Sequence, residues 1–336
     1  MPINLPNPPS ERRLEPGISV VIPTYNSGAS LPQLIGRLEP VLSGLAGRYE
    51  ALLVNDGSRD DTWAVITALA SRYPWVRGIR LRRNYGQHNA TLCGVRLARF
   101  EVTVTMDDDL QHPPEEIHHL LEALHRGADV VYGTPRQQQH GLWRDLASQI
   151  TKLVLQGAMG AQTARRVSAF RAFRTDIRHG FEGAQGPFIA LDVLLTWGTN
   201  QFTWVAVRHD ARPSGESNYT VMKLLTHAAN MMTGFSTIPL QLASLVGFTS
   251  TAFGIVVLAI VLGHYVIHGG QVPGFSFIAS TIAIFSGAQL FALGIFGEYL
   301  ARVHARTMDR PAYAIRETTE PLRAARRNSG QRRRAA

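Results

Sequence analysis

With 336 residues, 45% of them hydrophobic, the chain is long enough to bury a large core, as two domains or as one domain with an appendage. The formal charge of +9 is unevenly placed: beyond Gly297, ten arginines face only Glu298, Asp309, Glu317 and Glu320. No nucleic-acid recognition motif accompanies those arginines, so a nucleic-acid partner is excluded in favour of anionic lipid headgroups. The single cysteine, Cys93, excludes an intrachain disulfide.

Residues 1–17 are Pro-rich and polar and read as a flexible N-terminus. The first apolar run, 18–22, is too short for a signal-peptide core and β-branched enough for a strand buried on both faces. A turn at 23–28 precedes a helical stretch over 31–45. Strands follow at 49–54, 76–81, 102–106 and 128–132, with helices over 63–73 and from about 88 to 99. Strands alternating with helices predict an α/β domain with a mostly parallel sheet. In open sheets of this kind ligands sit beyond the carboxyl ends of the strands, where Asn26, Asp56, Asn84 and Asp107 to Asp109 all fall. Residues 143–159 read as an amphipathic helix and 202–207 as a further strand.

From 224 to 297 the chain has no Asp, Glu, Lys or Arg. That stretch holds two membrane helices of about 20 residues each, placed at 244–267 and 277–300. The intervening loop, 268–274, lacks Lys and Arg whereas the tail is Arg-rich, so the positive-inside rule puts both ends in the cytoplasm. The resulting division is a folded domain over 18–218, an interfacial helix over 219–234, two spanning helices within 235–303 and a basic tail over 304–336.

Chemistry concentrates in Asp107-Asp108-Asp109-Leu110-Gln111-His112-Pro113-Pro114. If the chain stays extended past the fourth strand, Asp107, Asp109 and Gln111 share one edge, a set of hard oxygen ligands for Mg²⁺ or Mn²⁺, and Asp108 points away. His118 and His119 lack the His-Glu-x-x-His spacing of a zinc site. No Gly-x-Gly-x-x-Gly or phosphate-loop lysine motif is present, which argues against a dinucleotide enzyme or an NTPase.

Together with Val20-Val-Ile-Pro-Thr-Tyr-Asn26, Val54-Asn-Asp-Gly-Ser58, Arg83-Asn-Tyr-Gly-Gln-His88, Tyr132-Gly-Thr-Pro-Arg136, Ser168-Ala-Phe-Arg171, Gly215-Glu-Ser-Asn-Tyr219 and Gly297-Glu-Tyr-Leu300, this motif resembles the family-2 glycosyltransferases of the GT-A type that act on polyprenyl phosphates. The matching stretches run from about residue 18 to about residue 315. The resemblance implies a nucleotide-diphosphate sugar as donor, a polyprenyl phosphate as acceptor, a divalent metal and inversion at the anomeric carbon. It puts the donor nucleotide against Pro23, Tyr25, Asp56, Arg83, Gln87, Asp107 and Arg136, and it assigns catalytic roles to Asp109, Arg171 and Asp192. Ser168, Arg208, Arg212, Ser217 and Tyr219 are the expected acceptor-phosphate contacts, because two anionic substrates must be clamped by cations. An acceptor phosphate is already ionised, so no strong general base is required, although Asp192 lies where related enzymes carry one. Ser27 departs from the family, which often has Glu there.

Two other readings are a processive polysaccharide synthase and a non-catalytic membrane scaffold of the same fold. The absence of a Gln-x-x-Arg-Trp motif weighs against the first. The intact Asp107, Asp109, Gln111 and Arg171 weigh against the second. Homo-oligomerisation is left open.

Overall fold

The computed structural model describes residues 14–135, 166–185, 190–210, 238–268, 274–308 and 310–320. The strands are β1 (Glu15–Thr24), β2 (Tyr49–Asn55), β3 (Val76–Leu81), β4 (Phe100–Thr105), β5 (Val130–Pro135), β6 (Arg171–Arg174), β7 (Phe202–Val207) and β8 (Ile315–Thr318). They form one eight-stranded sheet in the order β7-β5-β6-β4-β1-β2-β3-β8. β1 lies parallel to β2 and β4, β2 to β3, and β5 to β7, while β6 and β8 run against their neighbours. The sheet is mostly parallel, as the alternation of elements predicts. The sequence reading did not anticipate β6 or β8.

The pleat sorts each strand between two cores. On β1, Ile18, Val20 and Ile22 face one core and Val21 the other; on β2, Ala51 and Leu53 oppose Leu52 and Val54. Helices α1 (Leu31–Leu45), α2 (Thr62–Arg72) and α4 (Ile117–His125) cover the first face. Helices α3 (Gln87–Leu97) and α5 (Leu191–Gly198) cover the second. Gly94 lets α3 lie close on β1, since a Cβ there would stand 2.3 Å from a Val21 methyl.

Two long helices follow, α6 (Ile238–His268) and α7 (Phe275–Thr307), packed on each other with Gly254 against the Phe285 ring. Within α6, Leu240–His264 is long and apolar enough to cross a membrane; among the described residues it is the one span that meets both conditions of length and composition. Of the two expected spanning helices, the first alone has the length and composition of a membrane span among the described residues. The tail expectation also changes: the chain returns after α7, and β8 pairs antiparallel with β3 (Ile79 opposite Thr318, Arg80 opposite Glu317). Those four residues, Ile-Arg-Glu-Thr, carry no strand alternation and reach across 237 positions to find their partner, so local periodicity does not reveal them. The helices expected over 143–159 and 219–234 lie outside the described residues.

Candidate active site

A cleft of about 140 Å³ opens at the carboxyl ends of β1, β2 and β4, lined by Pro23, Thr24, Tyr25, Asp56, Gln87, Asp107, Asp108 and Asp109. Its floor is two interlocked turns. Asn26 sits in the left-handed region (φ 54°) and accepts the Arg59 N–H at its side-chain carbonyl (3.0 Å), while its own N–H donates to the Ser58 hydroxyl (3.0 Å). Gly57 also has positive φ (69°), and a Cβ there would lie 2.6 Å from the backbone of Arg83 and Asn84, so the loop after β3 rests directly on this turn. Asp56 fastens that loop: its two carboxylate oxygens accept the N–H groups of Tyr85 (2.7 Å) and Gly86 (2.8 Å). Burial raises the Asp56 pKa, and those backbone hydrogen bonds act the other way.

The carboxylates differ from the extended-edge expectation. β4 ends at Thr105, and the next residues bend, with buried Leu110 at φ 62°. Strict alternation therefore stops before the motif begins. All three aspartates line the cleft, so Asp108 does not point away: its carboxylate accepts a short hydrogen bond from Ser27, the position that departs from the family. Asp107 accepts a hydrogen bond from the Gln87 amide (2.6 Å). Burial, then the neighbouring Asp109 and Asp108 carboxylates, push the Asp107 pKa up to about 7. Asp108 is raised too, chiefly by burial. Gln111 joins this loop through its backbone, donating its N–H to Asp109 (3.1 Å) and accepting the Asp210 N–H at its carbonyl (2.9 Å).

A second cavity, about 290 Å³, shares Pro23, Gln87 and Asp107 as a wall and continues past His88, Thr91 and Ser168 to Arg171 and Asp192. Arg171 begins β6, wedged between β4 and β5, so its side chain is buried under this cavity. Its Nε donates to the Thr105 hydroxyl (3.0 Å), and its guanidinium pairs with Asp192, which also accepts the Tyr132 hydroxyl (3.0 Å). Burial pulls the Arg171 pKa down, but Asp192, Tyr132 and Asp107 together outweigh it and the value is raised. Asp192 thus holds an arginine in place, an engagement that a general base would have to give up. Sequence reasoning named both residues but not the pair or Tyr132, because three distant segments supply them.

The other expected contacts are dispersed. Arg83 is exposed and lies over the Tyr85 ring (4.5 Å). Arg208 is engaged by carboxylates: its Nε lies 3.3 Å from Asp210, its Nη2 lies 3.9 Å from Glu115, and its N–H donates to Glu116 (3.2 Å). Arg136, Arg212, Ser217 and Tyr219 lie outside the described residues. Beside the carboxylate loop, buried His112 stacks on Phe170 (5.2 Å) and meets His209 edge-on (5.0 Å). Burial, then His209, lower its pKa to about 4. On α4, ligand atoms of His118, His119 and Glu122 come within 4.8 Å of one another without the helical spacing of a zinc protease.

Residues 19–189 match the model of glycosyl transferase family 2. The undecaprenyl-phosphate 4-deoxy-4-formamido-L-arabinose transferase of Pseudomonas syringae pv. syringae (strain B728a) is 33% identical over 302 residues, covering 89% of each chain. The enzyme of the same name from Shewanella sediminis (strain HAW-EB3) is 32% identical over 303 residues, 89% of this chain and 92% of that one. Among solved structures, glucosyl-3-phosphoglycerate synthase from Mycobacterium tuberculosis, crystallised with Mn²⁺, UDP and glucosyl-3-phosphoglycerate, overlays at a TM-score of 0.49 with 19% identity, over 65% of this chain and 78% of that one. The chain belongs to glycosyl transferase family 2 and is a glycosyltransferase, with the GT-A α/β fold.

Proposed function

We propose that the enzyme transfers a sugar, with inversion, from a nucleoside diphosphate to a polyprenyl phosphate at the cytoplasmic face of a membrane. The observation that carries this reading is three crowded carboxylates at the strand ends, continuous with an arginine-floored cavity. The relatives named above, which match over most of their length, are transferases to undecaprenyl phosphate by name.

The cleft suits a divalent cation, because Asp107 and Asp109 are hard oxygen donors whose mutual repulsion a cation relieves. Mg²⁺ or Mn²⁺ held there would neutralise charge on the departing nucleoside diphosphate. Gln111 is the proposed third oxygen ligand. Ser27 keeps Asp108 fixed, and Gln87 orients Asp107. Pro23, Tyr25 and Asp56 flank the nucleotide, and Arg83 and Arg136 serve its diphosphate. The second cavity takes the sugar. Arg171, oriented by Asp192 and Tyr132, puts positive charge beneath the site of transfer. The acceptor phosphate attacks as an anion, so Asp192 acts by positioning Arg171. Ser168, Arg208, Arg212, Ser217 and Tyr219 receive that phosphate.

Membrane attachment rests on α6 and α7. At about 1.5 Å per residue both exceed the roughly 30 Å of hydrocarbon. Their apolar side chains stand open, with Phe248 74% and Leu290 67% exposed, as lipid-facing residues do. Because the chain rejoins the catalytic sheet at β8, a crossing made by α6 must be reversed by α7. This supports a two-helix hairpin with the domain over 18–218 and the tail on one side. The segment 219–234 would lie at the interface, and the Arg-rich residues 323–336 would meet anionic lipid.

The test is mass spectrometry of lipid after incubating the purified protein with undecaprenyl phosphate, Mn²⁺ and a panel of nucleotide sugars. One sugar should be gained per lipid phosphate, and none on undecaprenol. Transfer to the alcohol, repeated addition of sugars, or no lipid product with any donor would overturn the reading.

A further inference from the structure

The segment that follows α7 touches the donor cleft at one remove. It is joined to β3 by β8 and by hydrogen bonds at both ends: Thr319 exchanges them with Gly78 (N–H to Gly78 carbonyl, 3.0 Å; Gly78 N–H to the threonine hydroxyl, 2.9 Å), and the Arg82 N–H donates to the Ala314 carbonyl (2.9 Å). Ion pairs reinforce it, Glu317 to Arg80 (2.8 Å) and Glu320 to Arg99 (2.9 Å).

Arg82 opens the loop that Asp56 grips at Tyr85 and Gly86 and that ends in Gln87, the donor to Asp107. The same segment also packs on the helix into which this loop runs. Tyr313 lies over the Arg96 guanidinium (5.9 Å) and packs on the core that holds Cys93, both on α3, the helix that Gln87 begins. Tyr313, Ile315 and Tyr85 pack on one core, with Ala312 buried in it. β8 thus fixes the entry to the loop, and Tyr313 packs on the second half of α3, the helix into which the loop runs.

We infer that residues 310–320 are a positioning element of the donor site, holding the 82–87 loop so that nucleoside diphosphate binding depends on a segment carried by the membrane helices. This rests on the donor-site assignment above. A strand that merely covered the edge of β3 would affect stability and leave substrate affinities alone. A positioning strand raises the donor KM while the acceptor KM stays fixed. Coupling is also reciprocal, so nucleotide binding must tighten the segment as well as the loop.

The experiment is hydrogen–deuterium exchange on the full-length wild type in detergent, with and without UDP or GDP plus Mn²⁺, followed by donor and acceptor kinetics of Tyr313→Ala and Tyr313→Phe. Nucleotide should slow exchange in 82–87 and in 310–320 together. Tyr313→Ala should raise the donor KM about tenfold with the acceptor KM unchanged, and Tyr313→Phe should restore most of it. Protection confined to 82–87 in the wild type would overturn the inference even if Tyr313→Ala fails to fold. Equal donor KM values in folded Tyr313→Ala and wild type would do the same. If neither nucleotide changed exchange anywhere in the wild type, the donor-site assignment would fall, and this inference with it.

Discussion

Two groups of charged side chains stand at opposite ends of the same strands, and they are built on different terms. At the amino ends, buried Glu50 is answered from three sides: the Ser19 hydroxyl (2.8 Å), the Arg77 guanidinium (2.6 Å) and the Arg99 N–H (2.8 Å) all donate to it. At the carboxyl ends, Asp107, Asp108 and Asp109 crowd one small cleft, with neutral donors from Gln87 and Ser27, and the Asp107 pKa is driven up to about 7. Burial of charge is costly in both places. One group is balanced within the protein and serves the fold. The other keeps an excess of negative charge that an arriving cation would offset, and so it costs stability for the sake of function.

Breaking each group should therefore have opposite consequences. The largest effect is expected from Asp109→Ala: loss of about 10³-fold in turnover, several kcal/mol of lost transition-state stabilisation, with Tm unchanged or raised because a repulsion is removed. Steady-state kinetics and thermal unfolding on one preparation check both halves. Glu50→Gln should do the reverse, destabilising by up to about 3–5 kcal/mol because the buried Arg77 keeps only its longer contact with the more exposed Glu320 (3.4 Å). Denaturant unfolding would show it, while kcat/KM per folded molecule stays within about twofold. Ser27→Ala sharpens the comparison within the cleft. It removes one neutral hydrogen bond to Asp108, so about 1 kcal/mol of stability and a few-fold of turnover are the expected losses. Smallest in turnover is deletion of 323–336, which should leave transfer in detergent unchanged. Binding to anionic liposomes should weaken by about 1 kcal/mol per arginine, and less at high salt.

Much of this was legible in the sequence where local pattern decides structure. β1, β2 and β4 announce themselves as apolar, β-branched runs, and the acidic motif follows the last of them. β6 was missed because Arg-Ala-Phe-Arg is short and charged at both ends, and its place between β4 and β5 comes from long-range pairing. β8 was missed for a related reason: an edge strand read on its own is a polar tail. Asp108 was misplaced because strand alternation was carried past Thr105, where the backbone turns and Leu110 takes a left-handed conformation. Arg171 and Asp192 were visible as residue types, but their pairing with each other and with Tyr132 belongs to tertiary structure.

The claim that the carboxylate excess is completed by a divalent ion and a nucleotide is tested most directly by calorimetric titration of the full-length protein with UDP and GDP. Wild type in Mn²⁺ should bind at least one of them. Adding EDTA, or introducing Asp109→Ala, should weaken that binding by about 100-fold, some 2.7 kcal/mol. Equal affinity with and without metal, or in the wild type and the substituted protein, would contradict the assignment of the cleft.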